Sequence, residues 1–166
     1  MLPSCEPLQK KIYMKATQEP ITGKEAIGDR ATPYQALVEF YKAFNERDII
    51  LMKNNWANSA EIAMDNPLGG IMRGWNNINE LYSRIFEGQA QVYVEYYDYT
   101  IHETNDMFYA VGRERGNFSI GENSIDLKIR TSRIFKKIEG QWRQVHHHGS
   151  IEDPDLLKTY QDLVNK

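Results

Sequence analysis

Apolar and polar side chains alternate along most of the chain between about residue 90 and residue 150. Such period-two alternation is typical of strands that bury one face of a sheet. Short polar turns divide this stretch into four segments, at about residues 90–101, 106–118, 125–138 and 141–150. Because strands joined by short turns run antiparallel, the sequence predicts a four-stranded meander.

The residues before this stretch have the spacing of helices. Thr32 is placed to cap a first helix, and Gln35 is placed to complete a capping box with it. Asp48 can cap a second, shorter helix, a strand is predicted near residues 62–66, and a third helix follows Gly74. This order predicts an α+β domain in which about three helices cover one face of a curved antiparallel sheet.

The chain length of 166 residues is enough for one domain and too little for two of ordinary size. Residues 1–30 show no sustained apolar period, so we expect a flexible N-terminal arm whose side chains add little to the core. Residues 31–166 are expected to form the single domain. This domain is predicted to end in a short helix that begins after Asp153.

Charge and composition argue against several classes of function. The chain has 20 Lys and Arg against 23 Asp and Glu, so it lacks the excess of cations that general nucleic-acid binding requires. No apolar run approaches the roughly 20 residues that span a bilayer, and no membrane partner is expected. The single cysteine, Cys5, excludes an internal disulfide. The expected location is the cytoplasm.

The last two predicted strands meet at a hairpin turn at Glu139-Gly140. In a regular two-residue hairpin, pairing outward from this turn places Arg133 opposite His146 and Thr131 opposite His148. Cross-strand partners share a face, so one face is expected to carry a cation, two imidazoles and a hydroxyl. We take these four residues as a candidate ligand site, with His146 and His148 as candidate catalytic acids or bases.

Three successive histidines raise the question of a metal. Alternation places His146 and His148 on one face and His147 on the other, so at most two could share an ion. No third imidazole or nearby carboxylate is evident in the sequence. Hydrogen-bonding imidazoles are therefore favoured, and neither a metal nor another cofactor is predicted.

Four segments between about residues 33 and 150 carry a family resemblance. They are Phe44-Asn45-Glu46-Arg47-Asp48, Met64-Asp65-Asn66-Pro67-Leu68-Gly69, the helix start from Gly74 to Ile78, and Gly140-Gln141-Trp142-Arg143-Gln144-Val145-His146-His147-His148-Gly149-Ser150. Together they resemble the nuclear transport factor 2-like superfamily, particularly its SnoaL-like branch. The last segment is also similar to the association domain of calcium/calmodulin-dependent protein kinase II. The resemblance implies a cone-shaped fold with an internal pocket, and a homodimer formed through the sheet.

The catalytic positions of ketosteroid isomerases, which belong to this superfamily, are not retained in this sequence. Asn66 stands in place of the aspartate base, Phe40 in place of a first-helix tyrosine, and Thr131 in place of a hydrogen-bond-donating aspartic acid. An amide cannot accept a proton at neutral pH, so Asn66 is expected to orient a ligand rather than act as a base. Isomerisation by that mechanism is not expected.

Two arginines, Arg113 and Arg133, match positions in the kinase association domain, where arginines line a deep pocket. A buried arginine requires a counter-charge because an unpaired buried cation is costly. A ligand carboxylate could supply that charge through two hydrogen bonds. The alternative is an internal glutamate such as Glu61, Glu80 or Glu95, and the sequence leaves both open.

Three functions fit these observations. The first is a small-molecule-binding domain whose internal pocket takes an anionic or polar-aromatic ligand. The second is a SnoaL-like cyclase, isomerase or dehydratase that uses a pocket histidine, and the third is an oligomerisation module without chemistry, which requires a filled cavity. The candidate ligand-binding residues are Asn66, Arg113, Thr131, Arg133, His146 and His148.

Overall fold

A computed structural model describes residues 14–28 and 31–165 of the chain. These residues contain the helices α1 (Pro33–Asn45), α2 (Ile49–Asn55), α3 (Trp75–Glu87) and α4 (Pro154–Val164). Their strands are β1 (Ala63–Asp65), β2 (Ile71–Arg73), β3 (Gln91–Glu103), β4 (Met107–Ile120), β5 (Asn123–Ile138) and β6 (Gln141–Ser150). The predicted helices and the four-stranded meander are confirmed, whereas β2 is too short to leave a periodic signal. In the described residues, no helix has the length and hydropathy needed to cross a bilayer.

The helix starts follow the capping side chains that the sequence indicates. The hydroxyl of Thr32 accepts a hydrogen bond from the backbone N–H of Gln35, and the Asp48 carboxylate accepts from two N–H groups in the first turn of α2. The expected capping box is only half formed. The side-chain oxygen of Gln35 accepts from the backbone N–H of Gly28 at 2.6 Å, so this side chain ties the preceding segment to α1.

The six strands form one sheet in the order β2-β1-β6-β5-β4-β3. All neighbours are antiparallel except β1 and β6, which run parallel. The sheet is therefore mixed rather than entirely antiparallel. No hairpin joins β1 to β6, because α3 and four strands lie between them in the chain, and so no local turn determines the direction of that pair.

The sheet is strongly curved, and its inner face holds the core. Asp98 has a positive φ of 50° at a break in the pairing of β3 with β4. Gly116 lies so near the facing strand that an added Cβ would be 1.8 Å from the carbonyl oxygen of Tyr93. Helix α1 packs against the inner face and fully buries Leu37 and Tyr41.

The expected N-terminal arm packs against the sheet in the part that is described. Thr17 and Ile21 form backbone hydrogen bonds with Tyr99 and Tyr96 of β3, which is the edge strand. The side chain of Ile21 is completely buried in the core. The expectation that this arm adds little to the core is thus not met for residues 14–28, because an exposed sheet edge offers unpaired backbone groups for a further segment. Residues 1–13 of the arm lie outside the described residues.

Candidate functional site

The hairpin between β5 and β6 positions the polar centre of the domain. Glu139 and Gly140 both have positive φ angles, of 51° and 78°, as a two-residue turn of this kind requires. The predicted pairing holds from the turn as far as Phe135 and Gln144. Val145 is then an extra residue on β6, and the register shifts by one.

This bulge overturns the expected pairing beyond Val145. Arg133 faces His147 rather than His146, and Thr131 faces Gly149 rather than His148. His147 is therefore the imidazole on the inner face, where the Thr131 oxygen lies 3.1 Å from its Nε2. The same hydroxyl oxygen lies 3.3 Å from the His148 carbonyl. Because a carbonyl only accepts, Thr131 donates to it and Nε2 of His147 donates to Thr131.

His146 and His148 lie on the other side of β6 from His147. His148 is about half exposed, and its Nδ1 lies 2.9 Å from a carboxylate oxygen of Asp65. His146 pairs across the sheet with Ile134 and with Ala63. Neither of the two candidate catalytic histidines shares the inner face with Arg133.

Arg133 is 1% exposed and lies at the centre of a buried polar cluster. Its Nη2 donates to Oε1 of Glu114 at 2.8 Å, and its Nη1 donates to Gln144 at 2.9 Å. The Tyr41 hydroxyl donates to the same Glu114 oxygen at 2.6 Å. The guanidinium also lies 3.5 Å from the ring centre of Phe40, at cation–π distance. The internal ion pair thus exists, but its carboxylate is Glu114 and none of the three glutamates considered from the sequence.

The alternation of side chains along β4 indicates that Glu114 lies on the inner face of the sheet. Phe108, Ala110 and Phe118 are buried at even-numbered positions, so Glu114 shares their inner face and Arg113 takes the outer one. Arg113 is exposed there and pairs with Glu152 at 2.8 Å. It is therefore not on the inner face with Arg133.

The cluster shifts the pKa values of Arg133, His147 and Tyr41. Burial alone lowers the pKa of Arg133, but Tyr41, Glu114 and Tyr82 outweigh it and raise this pKa above its ordinary value. Burial, and then the positive charge of Arg133, lower the pKa of His147 well below its ordinary value. Burial also raises the pKa of Tyr41. Near neutral pH, Arg133 is therefore a cation, His147 a neutral imidazole and Tyr41 a protonated phenol.

A cavity of about 440 Å³ lies beside this cluster. Its walls are mostly apolar and include Phe40, Phe44, Val94, Phe118, Leu127 and Ile129. Glu114, Arg133 and His147 form a polar part of the lining, which also includes Asn66 and Arg84. The side-chain oxygen of Asn66 accepts from the backbone N–H of Leu68 at 2.9 Å, so this amide also shapes the loop at the cavity.

A family model described as the SnoaL-like domain matches residues 34–154. The chain belongs to the SnoaL-like family. This SnoaL-like domain has no match among proteins with curated descriptions.

Solved structures share the fold of this SnoaL-like domain at low sequence identity. A candidate calcium/calmodulin-dependent protein kinase type II association domain from Thiobacillus denitrificans is 22% identical, with a TM-score of 0.60 over 78% of this chain and 100% of that one. A candidate dehydratase of the nuclear transport factor 2-like family from Streptomyces avermitilis is 17% identical, with a TM-score of 0.61 over 69% and 89%. A candidate ketosteroid isomerase from Shewanella frigidimarina is 15% identical, with a TM-score of 0.61 over 75% and 98%.

The three positions compared with ketosteroid isomerases have other contacts in this SnoaL-like domain. The guanidinium of Arg133 lies over the ring of Phe40. Thr131 forms a hydrogen bond with His147, and the side chain of Asn66 forms one with the backbone of Leu68 in its own loop. None of them supplies a carboxylate. The carboxylate on the cavity wall is Glu114 on β4.

Proposed function

We propose that this SnoaL-like domain binds a small organic molecule that is mainly apolar and carries one polar group. The observation that supports the proposal is the cavity of about 440 Å³, whose mostly apolar wall ends at a cluster of polar side chains. Natural ligand sites commonly combine an apolar lining of this size with a few fixed polar groups. The alternative, an oligomerisation module without a ligand, requires a cavity that side chains fill.

The experiment is a binding titration with an uncharged bicyclic aromatic probe, 2-methoxynaphthalene, followed by its fluorescence. Ile129 is nearly buried on β5 and lines the cavity, so Ile129→Trp fills space that the probe needs. We expect the wild-type domain to bind the probe and this variant to lose binding.

The matched control is Ile138→Trp, which makes the same substitution at an exposed position at the end of β5, away from the cavity lining. This control should bind like the wild type. Leu81→Trp on α3 is a second blocking variant, because Leu81 also lines the cavity. Circular dichroism checks that each variant is folded. Equal binding by the blocked and control variants would contradict the proposal.

A catalytic role is the second candidate, and His147 is the observation that favours it. The imidazole lines the cavity, is neutral, and its Nδ1 has no hydrogen-bond partner in the part of the chain that the structure describes. The unprotonated nitrogen of a neutral imidazole can accept a proton, and the lowered pKa of His147 makes it a weaker base than an ordinary histidine. In this proposal His147 takes the place that the sequence assigns to His146 or His148, and turnover of a bound substrate by the wild type but not by His147→Gln would support it.

A further inference from the structure

We propose that the cavity selects neutral ligands bearing a hydroxyl group and discriminates against carboxylates. This inference rests on the proposed function and names the chemical class of its ligand. The observation that carries it is the placement of Glu114 beside Arg133 on the cavity wall.

The positive charge of Arg133 is already balanced inside the protein. Its guanidinium is 2.8 Å from the Glu114 carboxylate, and both side chains are at least nine-tenths buried. A ligand carboxylate at Arg133 would therefore lie close to a second negative charge in a poorly solvated site. Like charges at such distances disfavour one another strongly where water is excluded.

The free atoms of the same pair match a hydroxyl. Both hydrogen bonds that Glu114 makes to the described residues use Oε1, which leaves Oε2 as an acceptor. Arg133 uses one N–H on each of its three nitrogens, and a guanidinium has five, so two donors remain. A ligand hydroxyl can donate to the carboxylate and accept from the guanidinium at once. A carboxylate can only accept.

The test compares three probes of one shape on the wild-type domain at pH 7: 2-naphthol, 2-methoxynaphthalene and 2-naphthoate. We expect 2-naphthol to bind most tightly, with 2-naphthoate weaker by about tenfold or more, since one unfavourable charge contact of this kind is worth about that factor. Binding of 2-methoxynaphthalene should fall between them, because it keeps the shape and loses the donor.

The variant Glu114→Gln removes the negative charge and leaves Arg133 without its counter-charge. It should invert the order, so that 2-naphthoate binds more tightly than 2-naphthol. The matched control is Glu95→Gln, which removes the same charge from an ion pair with Arg115 on the outer face of the sheet, and it should keep the wild-type order.

The possible results bear on two separate claims, which are the preference for a hydroxyl and binding in the cavity. Tighter or equal binding of 2-naphthoate by the wild type overturns the selectivity, while binding in the cavity still stands. Failure of all three probes to bind overturns the proposed function, and the selectivity falls with it. If Glu114→Gln does not fold, the order of the three probes on the wild type still supports or overturns the inference.

Discussion

Replacing Arg133 by methionine should destabilise the domain strongly, because it removes the counter-charge of a buried carboxylate. Methionine retains much of the apolar stem but makes none of the hydrogen bonds to Glu114, Gln144 and Tyr41. Removing one partner of a buried ion pair lowers the free energy of unfolding by about 3–5 kcal/mol. With a urea slope of about 2 kcal/mol/M for a domain of this size, the unfolding midpoint should fall by about 1.5–2.5 M.

The double variant Arg133→Met with Glu114→Gln separates lost charge pairing from lost packing. It leaves no unpaired charge, so its cost should be well below the sum of the two single costs, with a coupling of about 2–3 kcal/mol. Arg113→Met is the matched control, since Arg113 is an exposed arginine paired with carboxylates on the outer face. Its urea midpoint should hardly change, because exposed pairs contribute little. Additive costs for the two buried variants would refute the reasoning.

Three further predictions concern pH, assembly and the N-terminal segment. Because the pKa of His147 is lowered in the folded state, its contribution to stability is complete above its ordinary pKa and is lost as pH falls below about 6.5. Unfolding free energies measured across that window should show a smaller slope for His147→Gln, and an unchanged slope would contradict the assignment. The sheet face opposite the cavity exposes Tyr109 and Val111; we expect sedimentation to give about twice 19.4 kDa. Val111→Asp should then give a monomer, whereas a monomeric wild type at micromolar concentration rules the dimer out. Ile21→Ala should cost about 2–4 kcal/mol by leaving a cavity in the core, and a cost near zero would mean that residues 14–28 are dispensable.

The sequence predicts the features that depend on neighbouring residues. The helix starts at Thr32 and Asp48 and the turn at Glu139-Gly140 follow from side chains within a few positions of one another, and all three are confirmed. The parallel pairing of β1 with β6 is set by packing between distant segments. No local pattern in the sequence reports it.

The sequence predicts the site only in part, because the alternation of a strand is a local pattern that does not show where its pairing is interrupted. Placing Arg133 and Thr131 on the inner face required only the alternation of β5. The histidine opposite Arg133 depends on a single extra residue, Val145, and an alternating sequence gives no sign of where such a residue interrupts the ladder. Glu114 could have been found from the apolar residues on its own strand.

The three consecutive histidines make the imidazole opposite Arg133 tolerant of changes in strand pairing. With the bulge at Val145, the residue opposite Arg133 is His147, and in a regular hairpin it would be His146. A slip of one residue on β6 reverses the face of every side chain beyond it, yet a histidine still faces the arginine. The run of identical residues therefore gives this strand redundancy: the chemistry at that wall of the cavity survives a rearrangement that would replace it in most sequences.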